Sequence, residues 1–313
     1  MLGKTAGGLY WLFRGIERAE NTTRLIETGQ RIALTRASAS DGEWESILQT
    51  VGVRDAFFAK HERLTKDAVI DWMLRDKDNP SSVLASIEQA RTNGRMVRTA
   101  LTNEVWEALN AGYMKAKDAL ARKVSERDLP HAMEVIRQST ALVRGATHGT
   151  MLRNDIYDFA RIGTFIERAD NTARILDVKY YVLLPSAYPI GSRLDNVQWD
   201  TILRSVSGRG GYRMAYGPAI SPRDISQFLI LDRRMPRSLR FCCTKIRDNL
   251  GYLASDYGQK HPSHDKVDTL LNRFMTHTVD DIFDYGLHEY IQDLLGSLSD
   301  LSRQIEIDYR FTA

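Results

Sequence analysis

The chain has 313 residues, 43% of them hydrophobic and 27% charged, and its 43 Lys/Arg against 40 Asp/Glu leave a formal charge of +3. That balance gives length for one large domain or two ordinary ones, and excludes disorder, low complexity and the strong basic field of a general nucleic-acid binder. The two cysteines, Cys242 and Cys243, are adjacent rather than in a CxxC pattern and suit a reducing cytosol, while the apolar stretch Leu9 to Phe13 is too short for a signal peptide or membrane span.

Helical periodicity dominates and β-branched alternating runs are scarce, which predicts an all-α protein. A first helix is expected from about Thr5 or Gly8 to the mid-thirties, and a second from Glu43 to about Arg75 with a break near Gly52. Asp76 to Pro80 reads as a loop. Ser81 or Ser82 caps a helix carrying Ile87, Ala90, Gly94 and Val97, and Thr102 or Asn103 opens another. Asp128-Leu129-Pro130 starts a helix towards Ala146. A long helix follows from about Thr150 to Leu184, ended by Pro185 and a connector containing Pro189 and Gly191. Beyond it are expected a helix at Val197 to Val206, a glycine turn at Gly208-Arg209-Gly210-Gly211, helices started by Ser221-Pro222 and Met235-Pro236, and a last helix over Val279 to Ile307. These elements fit an elongated up-and-down bundle, a single domain over 1–313 with pseudo-repeat halves of about 1–149 and 150–313.

The repeat rests on one polar signature. Glu17-Arg18-Ala19-Glu20-Asn21-Thr22-Thr23-Arg24 returns 150 residues later as Glu167-Arg168-Ala169-Asp170-Asn171-Thr172-Ala173-Arg174. On a helical wheel, Leu9, Phe13, Ile16, Glu20 and Glu27 fall on one seam, as do Ile162, Ile166, Asp170 and Asp177 in the second copy. The flanks carry Glu17, Asn21 and Arg24, and Glu167, Asn171 and Arg174. Acids on a core seam must be neutralised, hydrogen-bonded or bound to a cation. One solution is internal, with Arg24 on Glu17, Glu20 or Glu27 and Arg174 on Asp170 or Asp177, along each helix or across a pseudo-twofold. Another is a general base at Glu20 or Asp170 with a raised pKa. A third is a carboxylate-bound metal, but the motif lacks the histidines of Glu-x-x-His sites and its arginines repel cations, so no metal ligands are assigned. His148, His277 and His288 read as ordinary polar or interface residues.

Other constellations carry less. Arg91, Asn93, Glu104 and Glu107 echo the signature and read as an amphipathic helix pair. Arg233, Arg234, Arg237 and Arg240 gather at a predicted helix start, which makes Arg237 and Arg240 candidates for binding an anion. The Ser207 to Arg213 segment lacks the Walker ending and the preceding strand, which excludes a nucleotide P-loop. Cys242 and Cys243 read as buried packing residues.

Several of these segments together resemble a known family. Leu9-Tyr10-Trp11-Leu12 leading into the first signature, Asp155 to Phe159 leading into the second and on to Ile175-Leu176-Asp177-Val178-Lys179, Ser205 to Arg213, and Pro236 to Cys242 are similar to the bacterial alpha-E domain family, over essentially the whole chain. The resemblance implies a helical protein associated with circularly permuted ATP-grasp proteins and transglutaminase-like proteins, and so a place in a system that makes or modifies peptide amide bonds. It supplies no reaction or cofactor. It points to an accessory subunit binding a peptide or amino-acid group in a cleft lined by Arg14, Glu17, Glu20, Asn21, Arg24, Glu167, Asp170, Asn171, Arg174 and Asp177. No nucleic acid or membrane partner is expected. Two positions depart from the family pattern: Phe13 stands in place of glycine and Thr164 in place of arginine. The second makes the copies unequal and favours the first, which keeps Arg14, as the binding copy.

Overall fold

The computed structural model describes residues 1–33, 42–183 and 193–311, which form fifteen α-helices, one 3-10 turn and no strand. The first signature lies on α1 (Gly3–Ala33). The break expected near Gly52 is present, and the segment forms three helices, α2 (Gly42–Val51), α3 (Arg54–Phe58) and α4 (Lys66–Leu74): Gly52 takes φ +75°, a left-handed conformation that glycine adopts without steric cost and that stops α2, and the Thr65 hydroxyl starts α4 by accepting from the Ala68 amide. The hydroxyls of Ser82 and Thr102 accept from the amides of Ala85 and Val105 and so start α5 (Val83–Met96) and α6 (Asn103–Ala119). α7 (Leu129–Thr150) begins with a proline in its first turn. α8 (Asp155–Leu183) carries the second signature. The connector around Pro185 to Gly191 lies outside the described residues.

The second half continues with α9 (Arg193–Ser205), α10 (Arg209–Tyr216), α11 (Pro222–Ile230), α12 (Leu239–Tyr257), α13 (Pro262–Thr276), α14 (Val279–Tyr285) and α15 (Leu287–Asp308). Three expectations change here. The glycines at 210 and 211 are not a turn but the first turn of α10. α12 starts at Leu239, where the Ser238 hydroxyl accepts from the Phe241 amide, so Pro236 belongs to the approaching loop. Gly286, at φ +105°, splits the expected last helix into α14 and α15.

The signature helices are the centre of the packing. Leu9, Tyr10, Leu12, Phe13, Ile16, Ala19, Leu25 and Ile26 are all buried on α1, as are Phe159, Ile162, Phe165, Ile166, Ala169 and Ile175 on α8, so both helices are enclosed nearly all round. They run side by side in the same direction, with Gly163 against Tyr10 and residues 14 to 18 beside 167 and 168. Gly163 permits that approach, since a Cβ there would overlap the Tyr10 carbonyl oxygen. Its repeat mate is Phe13, which is buried. α15 runs the other way, with Ser302 against Tyr10 and His288 against Asp177. Leu25 of α1 packs into a large apolar cluster shared with the second half, whereas Ala19 and Ile26 join a smaller one built from α2 to α7.

Gly163→Ala is expected to destabilise the protein by about 1–3 kcal/mol, as overpacking does, because the obstructing atom is backbone. Gly145→Ala in α7, where a Cβ meets open space, should instead stabilise by up to about 1 kcal/mol. Urea unfolding of the two variants checks both signs.

Candidate functional site

The two signatures lock each other. Arg18 Nε and Nη2 donate to Glu167 Oε1 and Oε2 at 2.6 and 2.9 Å, and Arg168 Nε and Nη2 donate to Glu17 Oε1 and Oε2 at 2.8 and 2.9 Å. Each copy thus gives its arginine to the other copy's glutamate in the same two-pronged geometry, which fixes the register of α1 on α8. Glu17 and Glu167 are buried.

Around this pair the copies diverge. Arg14 Nε donates to Glu167 Oε2 at 2.9 Å, its Nη1 reaches Tyr10 and Ser302 at 3.3 and 3.0 Å, and its guanidinium lies over the Trp11 ring. The mate of Arg14 is Thr164, whose hydroxyl turns to the Ala160 carbonyl. Glu17 takes replacements from elsewhere: Arg144 of α7 reaches its Oε2 at 3.4 Å, and Arg237, before α12, reaches its Oε1 at 3.1 Å. The same Arg237 donates to Asn21 Oδ1 at 3.1 Å and to Glu20 Oε1 at 2.8 Å. Arg24 Nη2 joins Glu20 Oε1 at 2.7 Å, while Arg144 and the Thr140 hydroxyl cover Oε2.

These contacts decide the charge state. Burial raises the Glu17 carboxyl, but Arg168, Arg237 and Arg144 outweigh it and hold it far below the usual carboxylate range. Burial and the adjacent Glu17 push Glu20 up, yet Arg237, Arg144 and Arg24 bring the net shift down. For Glu167, burial is overcome by Arg18 and Arg14, leaving it lowered to about 2. Burial outweighs the attraction of its acids at Arg237, whose pKa falls to about 10. The raised pKa expected of a general base at Glu20 is therefore reversed. Arg237 is not an open anion site either, because the signature's own carboxylates already occupy it.

The second copy is left open on one side. Asp170 is bonded by Arg174 at 2.7 Å and keeps 27% side-chain exposure, and Arg174 also donates to the Thr50 carbonyl at 2.8 Å. A cavity of about 430 Å³ lies between α1, α8 and α15, with Arg14, Asn21, Glu167, Asp170, Asn171 and Arg174 in its wall. On α1 its wall runs from Trp11 to Leu25, about 20 Å at the helical rise. The Nδ2 groups of Asn21 and Asn171 are buried and have no partner among the described residues. Of the proposed site residues, Glu17, Glu20, Arg24 and Asp177 do not line this cavity. Asp177 instead accepts from His288 and Gln292 at 2.6 and 2.7 Å. Arg14, expected to mark the first copy, serves the glutamate of the second.

The remaining candidates are structural. Arg240 is half-buried on α12, away from the cavity. Arg91 bonds Asn110 and lies over Tyr113, with Glu104 and Glu107 exposed. Cys242 and Cys243 are fully buried, and burial pushes the Cys242 thiol up to about 12. His148 bonds Tyr157 and Arg161, and burial together with surrounding arginines lowers it to about 4. Among the described residues no three His, Cys, Asp or Glu side chains come together as metal ligands, and no helix is long and apolar enough to cross a membrane.

A profile described as a predicted alpha-helical domain with a conserved ER motif matches residues 1–309. The chain belongs to the Alpha-E family. It is similar to uncharacterised proteins of Mycobacterium bovis and Mycobacterium tuberculosis, at 24% identity over 93% of this chain, and spans about a third of the length of those relatives (34%). No solved structure matches. This Alpha-E chain contains four Glu-Arg dipeptides, at Glu17, Glu62, Glu126 and Glu167. The Glu62 and Glu126 pairs are exposed, so the exchanged pairs on α1 and α8 are the ones with a buried role.

Arg18 and Arg168 are absent from the residues picked out on the wheel, which placed them opposite the seam, although their identity in both copies was the available signal. Arg144 carries no sequence signal. Arg168→Ala removes the two-pronged partner of buried Glu17 but leaves Arg237 and Arg144 on it, and is expected to cost about 1.5–3 kcal/mol in urea unfolding. A carboxyl with a depressed folded pKa contributes stability above its unfolded value and loses it as acid protonates it. Stability should therefore fall between Glu167's ordinary value of 4.5 and about 2, and less steeply in Glu167→Gln measured against its own neutral-pH value.

Proposed function

We propose that the chain is a binding module rather than a stand-alone catalyst, an accessory partner of an ATP-grasp amide ligase that holds a peptide or amino-acid group in the cavity between α1, α8 and α15. The observation that carries this reading is the combination of an open polar cavity beside the second signature with glutamates that arginines hold in their anionic form. A carboxylate so stabilised is a poor general base, but it anchors the arginines and amides around it. The unpartnered Asn21 and Asn171 amides suit acceptors such as peptide carbonyls. In the mycobacterial relatives the matching region is joined to a longer polypeptide, an arrangement suited to an accessory unit. The ligase partner itself rests on the family resemblance.

A scaffold reading is favoured by the exchanged Glu-Arg pairs and predicts that nothing binds. The binding reading predicts that the purified chain releases no phosphate from ATP, co-purifies with the ATP-grasp protein when co-expressed, and binds short peptides in calorimetry. Asp170→Ala with Asn171→Ala should weaken that binding at least about tenfold, as loss of charge-assisted hydrogen bonds does. ATP turnover by the isolated chain would remove the accessory role. Absence of peptide binding would favour the scaffold.

A further inference from the structure

The repeat contains its own template for what the cavity accepts. In the first half, the Arg237 guanidinium is held by three groups of α1, Glu17 Oε1, Asn21 Oδ1 and Glu20 Oε1, at 3.1, 3.1 and 2.8 Å. Their mates 150 residues on are Glu167, Asn171 and Asp170, and all three line the open cavity. Part of the environment corresponds. Arg18 matches Arg168, Arg174 matches Arg24, and Arg14 does for Glu167 Oε2 what Arg144 does for Glu17 Oε2. Arg237 has no counterpart, nor have the Arg144 and Thr140 contacts to Glu20: among the described residues Glu167 Oε1 accepts only from Arg18, Asp170 accepts only from Arg174, and the buried Asn171 Nδ2 is without a partner.

We infer that the cavity receives a guanidinium group, the arginine side chain of a bound polypeptide, in the position that Arg237 fills in the first half. This deepens the binding reading above and rests on it. Charge permits the assignment. In the first half two carboxylates, Glu17 and Glu20, carry four guanidinium groups, those of Arg24, Arg144, Arg168 and Arg237. In the second half Glu167 and Asp170 carry three, those of Arg14, Arg18 and Arg174. One arriving guanidinium makes the two surroundings equal, and the further charges in the cavity wall, Glu306 and Arg303, are of opposite sign. Planar forked donors match the three acceptors as an ammonium, a compact point charge, does not. The length of the cavity along α1 leaves room for the backbone on either side of the anchoring residue.

The test is calorimetry on the full chain with N-acetyl-arginine amide, its lysine and citrulline analogues, free arginine and methylguanidinium. The arginine amide should bind at one site, at least tenfold more tightly than the citrulline and lysine compounds, and Asp170→Asn should weaken it at least tenfold. Asp170 is part-exposed, so that variant should remain folded, and its melting curve verifies this. Blocked arginine binding more tightly than free arginine identifies a polypeptide as the source, and the reverse order overturns that part of the inference. In Arg237→Ala, methylguanidinium should raise the melting temperature more than in the native chain by refilling the template site. Equal binding of arginine and citrulline compounds, or none of either, overturns the inference. Peptides that occupy the cavity with no preference for arginine would leave the binding reading standing and remove only this one.

Discussion

The packing of the two signature helices depends on a pair of exchanged ion contacts, Arg18 with Glu167 and Arg168 with Glu17, whose carboxylates are buried between parallel helices. A buried carboxylate is tolerable only when its charge is met at hydrogen-bond distance, and the two-pronged geometry of guanidinium on carboxylate meets it in one orientation. That requirement sets the register of α1 on α8 more tightly than apolar packing alone, because a slide by one residue would strand both acids. The close crossing at Gly163 and Tyr10 follows from the same register.

The duplication is plain in the sequence of the signature and broken in its surroundings. Both copies kept the exchanged pair, and the surroundings then diverged: α7 and the loop before α12 closed over the first copy with Arg144 and Arg237, while α15 stood off from the second. Thr164, the mate of Arg14, does not leave Glu17 short of positive charge, since Arg144 and Arg237 reach it from distant segments. What differs between the copies is access to solvent rather than the chemistry of the motif.

Much of the framework was legible from local rules. Ser82, Thr102 and Ser221 cap the helices they were read to cap, because an N-cap is a short-range hydrogen bond. The i,i+4 pairs of Arg24 with Glu20 and Arg174 with Asp170 were readable for the same reason. Gly210 and Gly211 misled, since glycine marks a turn only when its φ demands one, and among the described residues the positive values fall instead at Gly52, Gly217, Gly258 and Gly286. Arg18 and Arg168 were passed over because a helical wheel assumes one buried face, and α1 and α8 have several. Arg144, and the role of Arg237 as a partner of the motif acids, were beyond reach: the partner of each is more than a hundred residues away. The cavity was equally hidden, as α15 carries no part of the signature.

The spacing of the partners along the chain also orders events during synthesis. Glu17 stands near the start, yet the arginines that neutralise it are Arg144, Arg168 and Arg237, the last 220 residues downstream. Contacts so remote are formed slowly, after long loops have closed. Before α8 emerges, α1 can already pack against α5, where Gly15 approaches Ser86 and Ala90, but of these three arginines only Arg144 is then available to Glu17. Neutralisation of the motif acids therefore trails the apolar packing of the helix that carries them.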